Sequence, residues 1–307
     1  MLITAKKRST VDVLKKQLKS AFSMKDLGEA EHVLGVRIRR QREQHTLYLS
    51  QEKYIDKVLD RFCMADAKPL GVPLQPYDKT QEAINDMHGV PYASACGSLM
   101  NAMVATRPNI AYAVGVVSRS MANPAKAHWN AVKSIMRYLK GTKNKCLCYG
   151  KGPLELKGFC DTDMAGDVDT RKSTSGYVFT LAGGAISWCS RLQKVVALST
   201  TEAEYISATE ASKEAIWLAR LCSEFGLPEK APILGCDSQS AICLAKNAMF
   251  HARTKHIDVR YHFIREVLED GLITLIKVHT SQNPADVLTK CLPKAQHQIC
   301  IQMVGVT

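Results

Sequence analysis

Four acidic residues in the C-terminal half, Asp161 in FCDTDMAGD, Glu202 in STTEAEY, Asp237 in LGCDSQSA and Asp286 in NPADVLTK, each fall at the end of a separate candidate element. Carboxylates are hard oxygen ligands suited to Mg²⁺, and two such ions about 3.5–4 Å apart can clamp the attacking water and the leaving oxygen of a phosphodiester. The order Asp, Glu, Asp, Asp therefore raises metal-dependent nuclease chemistry. Each residue also has a plainer account. Glu202 stands three residues after Ser199, so Ser-Thr-Thr-Glu is also a capping box, and taken alone Glu202 reads as a cap rather than a catalyst. Asp161 and Asp237 could be loop-entry aspartates, and Asp286 could oppose the positive end of its helix.

For the four to act together, strand and helix ends must converge on one side of a sheet. From about residue 146 the pattern supplies such a sheet. LELKGFC reads as a strand, SGYVFTLA and AISWCS as a hairpin across Gly183 and Gly184, and KVVAL as a further strand. A helix from Thr201 to Phe225, a strand PILGC, helices SQSAICLAKN and IDVRYHFIREVLEDG, a strand LITLIKV and a helix from Pro284 follow. An antiparallel meander followed by alternating helices and strands predicts a mixed-sheet α/β domain. Upstream, residues 10–22 have helical spacing, AEHVLGVRIRRQ and TLYLS form a hairpin, and QEKYIDKVLDRFCM is an amphipathic helix. The proline-containing loop KPLGVPLQPYDKTQ then precedes three helical pieces between Tyr92 and about Lys140. The expected organisation is two units, 1–145 and 146–295, with a tail over 296–307.

The chain has 307 residues, 46% hydrophobic, enough for two packed cores. Lys and Arg outnumber Asp and Glu by 41 to 29, a net +12 suited to phosphate backbones, though an inert basic surface has the same composition. No apolar run reaches the roughly 18 residues of a membrane span, and the N-terminus is too basic for a secretory segment, so an intracellular protein, cytoplasmic or nuclear, is expected. The eleven cysteines are scattered without a CxxC pair and read as reduced thiols rather than a zinc site. Trp129, Trp188 and Trp217 fall in periodic apolar segments and read as core.

The segments CDTDMAGDVDTRKSTSGYVF, GGAISWCSRLQKVVALSTTEAEY, CDSQSAICLAKN, RTKHIDVRYHFIRE and ADVLTKCLP resemble the ribonuclease H domain of copia-type LTR retrotransposon Pol polyproteins. FSMKDLGEAEHVLGVRI, YLSQEKYIDKVLDRFCM and YASACGSLMNAMVATRPNIAYAV resemble the palm end, thumb entry and connection of the same family's reverse transcriptase, downstream of its YVDD motif. The resemblance implies a ribonuclease H-like mixed five-stranded sheet with flanking helices, preceded by a mainly helical α+β remnant without polymerase activity of its own. It further implies endonucleolytic cleavage of the RNA strand of an RNA–DNA hybrid. Two Mg²⁺ ions, with Mn²⁺ as a substitute, would be held by Asp161, Glu202, Asp237 and Asp286. The partners implied are the hybrid and the rest of the polyprotein, with no membrane and no small-molecule cofactor. Arg171, Lys172, Ser173, Ser199, Thr200, Lys255 and His279 are candidate substrate contacts. His279 lies where related enzymes place a mobile histidine, a strand-end histidine being the plainer account, and Asp163 could substitute for Asp161. Met164 and His279 depart from the family's usual Trp and Pro. The alternatives are a decayed or domesticated fragment that binds nucleic acid without cutting it, and an integrase-like nuclease, whose pattern has three carboxylates rather than four.

Overall fold

A computed structural model describes residues 1–76, 87–228, 230–246 and 258–307. After helix α1 (Arg8–Ala21) come strands β1 (His32–Val33), β2 (Val36–Gln41) and β3 (Thr46–Ser50). Leu34 and Gly35, both at positive φ, turn β1 into β2, and the tolerance of glycine for that conformation makes the turn possible. Helices α2 (Glu52–Arg61), α3 (Tyr92–Ala105), α4 (Ala111–Ser118) and α5 (Lys126–Gly141) form the expected helical layer. Their apolar faces meet in one core that includes Ile55, Leu99, Val117, Ile135 and Leu139. β4 (Leu147–Tyr149) then pairs antiparallel with β3, completing a four-stranded sheet in the order β1-β2-β3-β4.

The second sheet holds β5 (Lys157–Asp163), β6 (Thr174–Leu181), β7 (Gly184–Leu192), β8 (Ile233–Cys236) and β9 (Thr274–Lys277) in the order β7-β6-β5-β8-β9. The first three form an antiparallel meander, and β8 and β9 join it parallel to β5. With α6 (Thr200–Glu224), α7 (Gln239–Lys246), α8 (Asp258–Glu269) and α9 (Lys294–Met303), this is the ribonuclease H-like mixed sheet, and a mainly helical region precedes it. One core joins the sheet to α6, α7 and α8 through Tyr205, Ala208, Leu234, Ile264 and Leu275. On the other face Val178, Ala185, Leu288 and Ile301 pack with Ala111 and Leu147 from the N-terminal region. Trp188 crosses the same boundary by donating to the Met103 carbonyl at 3.2 Å.

Four expectations need correction. KVVAL is not a strand: Val195, Val196 and Leu198 are exposed, and the segment is an irregular approach to α6 because it pairs with no neighbour. The helix from Pro284 is a five-residue 3-10 turn (Pro284–Leu288), and α9 begins only after Pro293, whose ring disfavours helical backbone at the residue before it. Trp217 is 57% exposed, on the side of α6 shared with the exposed Lys213 and Arg220. Residues 296–307, expected as a tail, form most of α9 and bury Cys300, Ile301, Val304 and Val306. All eleven cysteines are free thiols. Among the described residues no helix is long and apolar enough to cross a membrane.

Candidate metal centre

β5 and β8 run parallel with Cys160 opposite Cys236, so the next residues, Asp161 and Asp237, emerge at the same level. Asp286 reaches them from the 3-10 turn, and one carboxylate oxygen from each of the three lies within 4.8 Å of the others. That turn is pinned to β5 by the fully buried Asn283, whose Nδ2 donates to the Cys160 carbonyl at 2.9 Å while its Oδ1 accepts from the Ala285 N–H at 3.2 Å. Gly176, paired with Asp161 across β5 and β6, clears the approach. A Cβ there would stand 2.7 Å from Leu288 Cβ and 2.8 Å from Thr289 Cγ2.

The glutamate at this cluster is Glu204 rather than the expected Glu202. A Glu204 carboxylate oxygen lies within 4.8 Å of both Cys236 Sγ and an Asp237 carboxylate oxygen, so Asp237 belongs to two overlapping groups. Glu204 Oε2 is enclosed and has no hydrogen-bond partner. Burial pushes the Glu204 carboxyl up to about 10, and Asp161, Cys236 and Asp237 add to the shift. Glu202 instead accepts the Leu198 N–H at 2.8 Å and donates its own N–H to Ser199 Oγ at 3.1 Å, which makes it part of the helix cap. The sequence did hold a signal for Glu204. Stepping back from Ala215 through Ala211 and Ser207 or Ala208, on the stripe that packs against the sheet, the next turn lands on residue 204. Ser207 fixes that stripe by donating to the Asp161 carbonyl at 2.7 Å.

Lys290 was also missed. Its Nζ lies 3.0 Å from Asp286 Oδ1 and 3.5 Å from Asp161 Oδ2, and Thr289 Oγ1 donates to the same Asp161 oxygen. Burial lifts the Asp161 carboxyl above the usual range, the Lys290 ammonium opposing and Asp286 reinforcing the shift. For Lys290 burial acts the other way, and the two carboxylates outweigh it to hold the ammonium above its ordinary value. Asp237 Oδ2 accepts from Thr280 Oγ1 at 2.9 Å. An enclosed, unpartnered carboxylate oxygen beside three further carboxylates fits a hard divalent cation, since buried anionic oxygens otherwise carry a large desolvation cost.

The remaining candidates divide. Ser173 is buried, and its Oγ accepts the Ala165 N–H at 3.1 Å, which occupies it in loop structure. Arg171 is exposed at positive φ, and it and Lys172 close a loop on Asp167 through backbone bonds of 2.8 and 3.2 Å. Asp167 in turn pairs with Arg119 at 3.3 Å. Ser199 caps α6 and Thr200 begins it, both exposed. His279 is exposed beside Thr280, its Nδ1 accepting the Ser281 N–H at 3.2 Å. Asp163 is not in the converging group; its carboxylate fills the space that a Cβ on Gly166 would need. Lys255 lies outside the described residues.

Residues 1–76 match the family described as reverse transcriptase (RNA-dependent DNA polymerase). Over its whole length the chain is 55% identical to the retrovirus-related Pol polyprotein from transposon TNT 1-94 of Nicotiana tabacum and spans 24% of that protein. It is 33% identical to the putative transposon Ty5-1 protein of Saccharomyces cerevisiae, covering 70% of each chain. Among solved structures, LC11-RNase H1 in complex with an RNA/DNA hybrid aligns with 44% of this chain and 94% of its own, at 14% identity and a TM-score of 0.35. Its sequence relatives place the chain in the copia-type retrotransposon Pol polyprotein family.

Proposed function

We propose that the chain carries a divalent-cation-dependent ribonuclease site that cuts the RNA strand of an RNA–DNA hybrid, with Asp161, Glu204, Asp237 and Asp286 as the ligand set. Convergence of these carboxylates from β5, α6, the end of β8 and the 3-10 turn is the observation that carries this reading. Mg²⁺, with Mn²⁺ as substitute, would supply Lewis acidity and neutralise charge on the phosphodiester. The protein's part is to hold oxygens at fixed positions. Strand register levels Asp161 with Asp237, Asn283 anchors the turn that carries Asp286, and Ser207 seats the helix that carries Glu204. The excess of 41 basic over 29 acidic residues favours a polyanionic substrate. Arg171 and Lys172, on a loop that leaves β5, are the proposed phosphate contacts, and His279 stands one residue from the threonine that binds Asp237. The further partners proposed are the other parts of the polyprotein, beside which the reverse transcriptase-like residues 1–145 would work.

The test is incubation of the purified chain with a labelled RNA–DNA hybrid, with Mg²⁺ or chelator, beside Asp237→Asn and a duplex RNA control. Mg²⁺-dependent cutting of the hybrid's RNA strand, lost in Asp237→Asn, supports the proposal. Folded protein that binds the hybrid without cutting it would favour the binding-fragment alternative.

A further inference from the structure

The four carboxylates of the cluster are not equally balanced. Lys290 Nζ sits against Asp286 Oδ1 and Asp161 Oδ2 at 3.0 and 3.5 Å. Among the described residues no Lys or Arg nitrogen lies within 4.0 Å of the carboxylates of Glu204 or Asp237; Lys277 donates to the Asp237 backbone carbonyl rather than to its side chain. Among the described residues, one half of the cluster therefore has a resident cation and the other half has none. The Lys290 side chain is 33% exposed, whereas those of Asp161 and Asp286 are 2% and 5% exposed, so the ammonium has a way out to water that its partners lack. An ammonium and a divalent ion cannot share the same two oxygens without strong repulsion at this range.

We propose that Lys290 is a displaceable internal counter-cation, which occupies the position between Asp161 and Asp286 until a divalent ion takes its place. The inference rests on the ligand set proposed above and adds an order of filling. The Glu204–Asp237 side takes the first ion tightly, while the Asp161–Asp286 side takes the second weakly because the ion must first expel Lys290. Lys290 is a positioning residue: it holds two buried carboxylates in place in the metal-free protein, and it sets the affinity for the second ion. Because coupling between ligands is reciprocal, removing the charge must strengthen that ion's binding.

Titration of the full chain with Mn²⁺, followed by electron paramagnetic resonance, reads this without recourse to activity. The wild type should show one tighter and one weaker Mn²⁺ site. Lys290→Met should tighten the weaker site by on the order of tenfold or more, and Lys290→Arg, which keeps the charge, should restore weak binding. Lys290→Gln is a second neutral variant against misfolding of the first, with folding checked by circular dichroism. Folded Lys290→Met or Lys290→Gln protein that binds Mn²⁺ no more tightly than wild type overturns the proposal while leaving the ligand set standing. Absence of Mn²⁺ binding in every variant overturns both.

Discussion

Helices α1 and α6 show what separates a scaffold for chemistry from a merely formed element. α1 has 14 residues, and not one is buried; Val13 and Leu14 are 56% and 40% exposed. α6 has 25 residues and presents alanines and serines to a sheet covered on both faces by apolar cores. Small side chains let the helix approach closely, so Ser207 bonds the β5 backbone and Glu204 one turn earlier is carried into the cluster. The two sheets differ in the same way. In the first, exposed Arg39 stacks over Tyr48 with its guanidinium 4.5 Å from the ring, whereas the interior of the second encloses carboxylates. Buried carboxylates are tolerated only where packing holds every neighbour in place, and among the described residues that condition is met in the C-terminal half.

The largest test of this contrast is removal of a carboxylate. Asp161→Asn should lower hybrid cutting by more than a hundredfold, beyond the roughly 10–100-fold typical of residues that only support a ligand, with circular dichroism unchanged. Packing comes next. Leu234→Ala, in the sheet core, should cost about 2–5 kcal/mol in denaturant unfolding, whereas Leu14→Ala on α1 should stay within about 0.5 kcal/mol. Equal effects would erase the distinction between the regions.

Acid provides a third test, at the junction between the helical layer and α9. His297 is buried against Tyr138, in an edge contact at 5.4 Å, and burial lowers its pKa to about 4, from 6.5 when exposed, with nearby Arg107 adding to the shift. Between these values the unfolded chain binds the extra proton, so stability is complete above about pH 6.5, falls as pH drops toward 4, and loses nothing more to this group below that. The shift corresponds to about 3 kcal/mol. Urea unfolding at pH 7 and pH 5 should show the loss in wild type and a smaller one in His297→Gln. The smallest effect belongs to the helix cap, where Ser199→Ala should cost about 1 kcal/mol in thermal unfolding.

The alternation of β5 and β6, the Gly183–Gly184 turn and the long helical period of α6 all lie within one segment, so the meander and its helix could be read from sequence. KVVAL deceived because Val195 and Val196 have strand propensity but no neighbouring strand to pair with, and pairing is a non-local property. The sequence points to Glu202 rather than Glu204 for a related reason: both glutamates follow Ser199 closely, and choosing between them requires knowing which face of α6 meets the sheet. Lys290 was invisible, since four residues from Asp286 in a candidate helix it reads as an ordinary i,i+4 ion pair, and only the fold brings Asp161 to its other side. The joint core of Leu147, Val178 and Ile301 likewise depends on Ile301 meeting segments more than a hundred residues earlier in the chain.

The most direct measurement compares Glu204→Gln with Glu202→Gln on a labelled RNA–DNA hybrid at saturating Mg²⁺, with folding of both confirmed. Cutting lost in Glu204→Gln and largely kept in Glu202→Gln is the expected result; cutting kept in Glu204→Gln and lost in Glu202→Gln would contradict the assignment of the site.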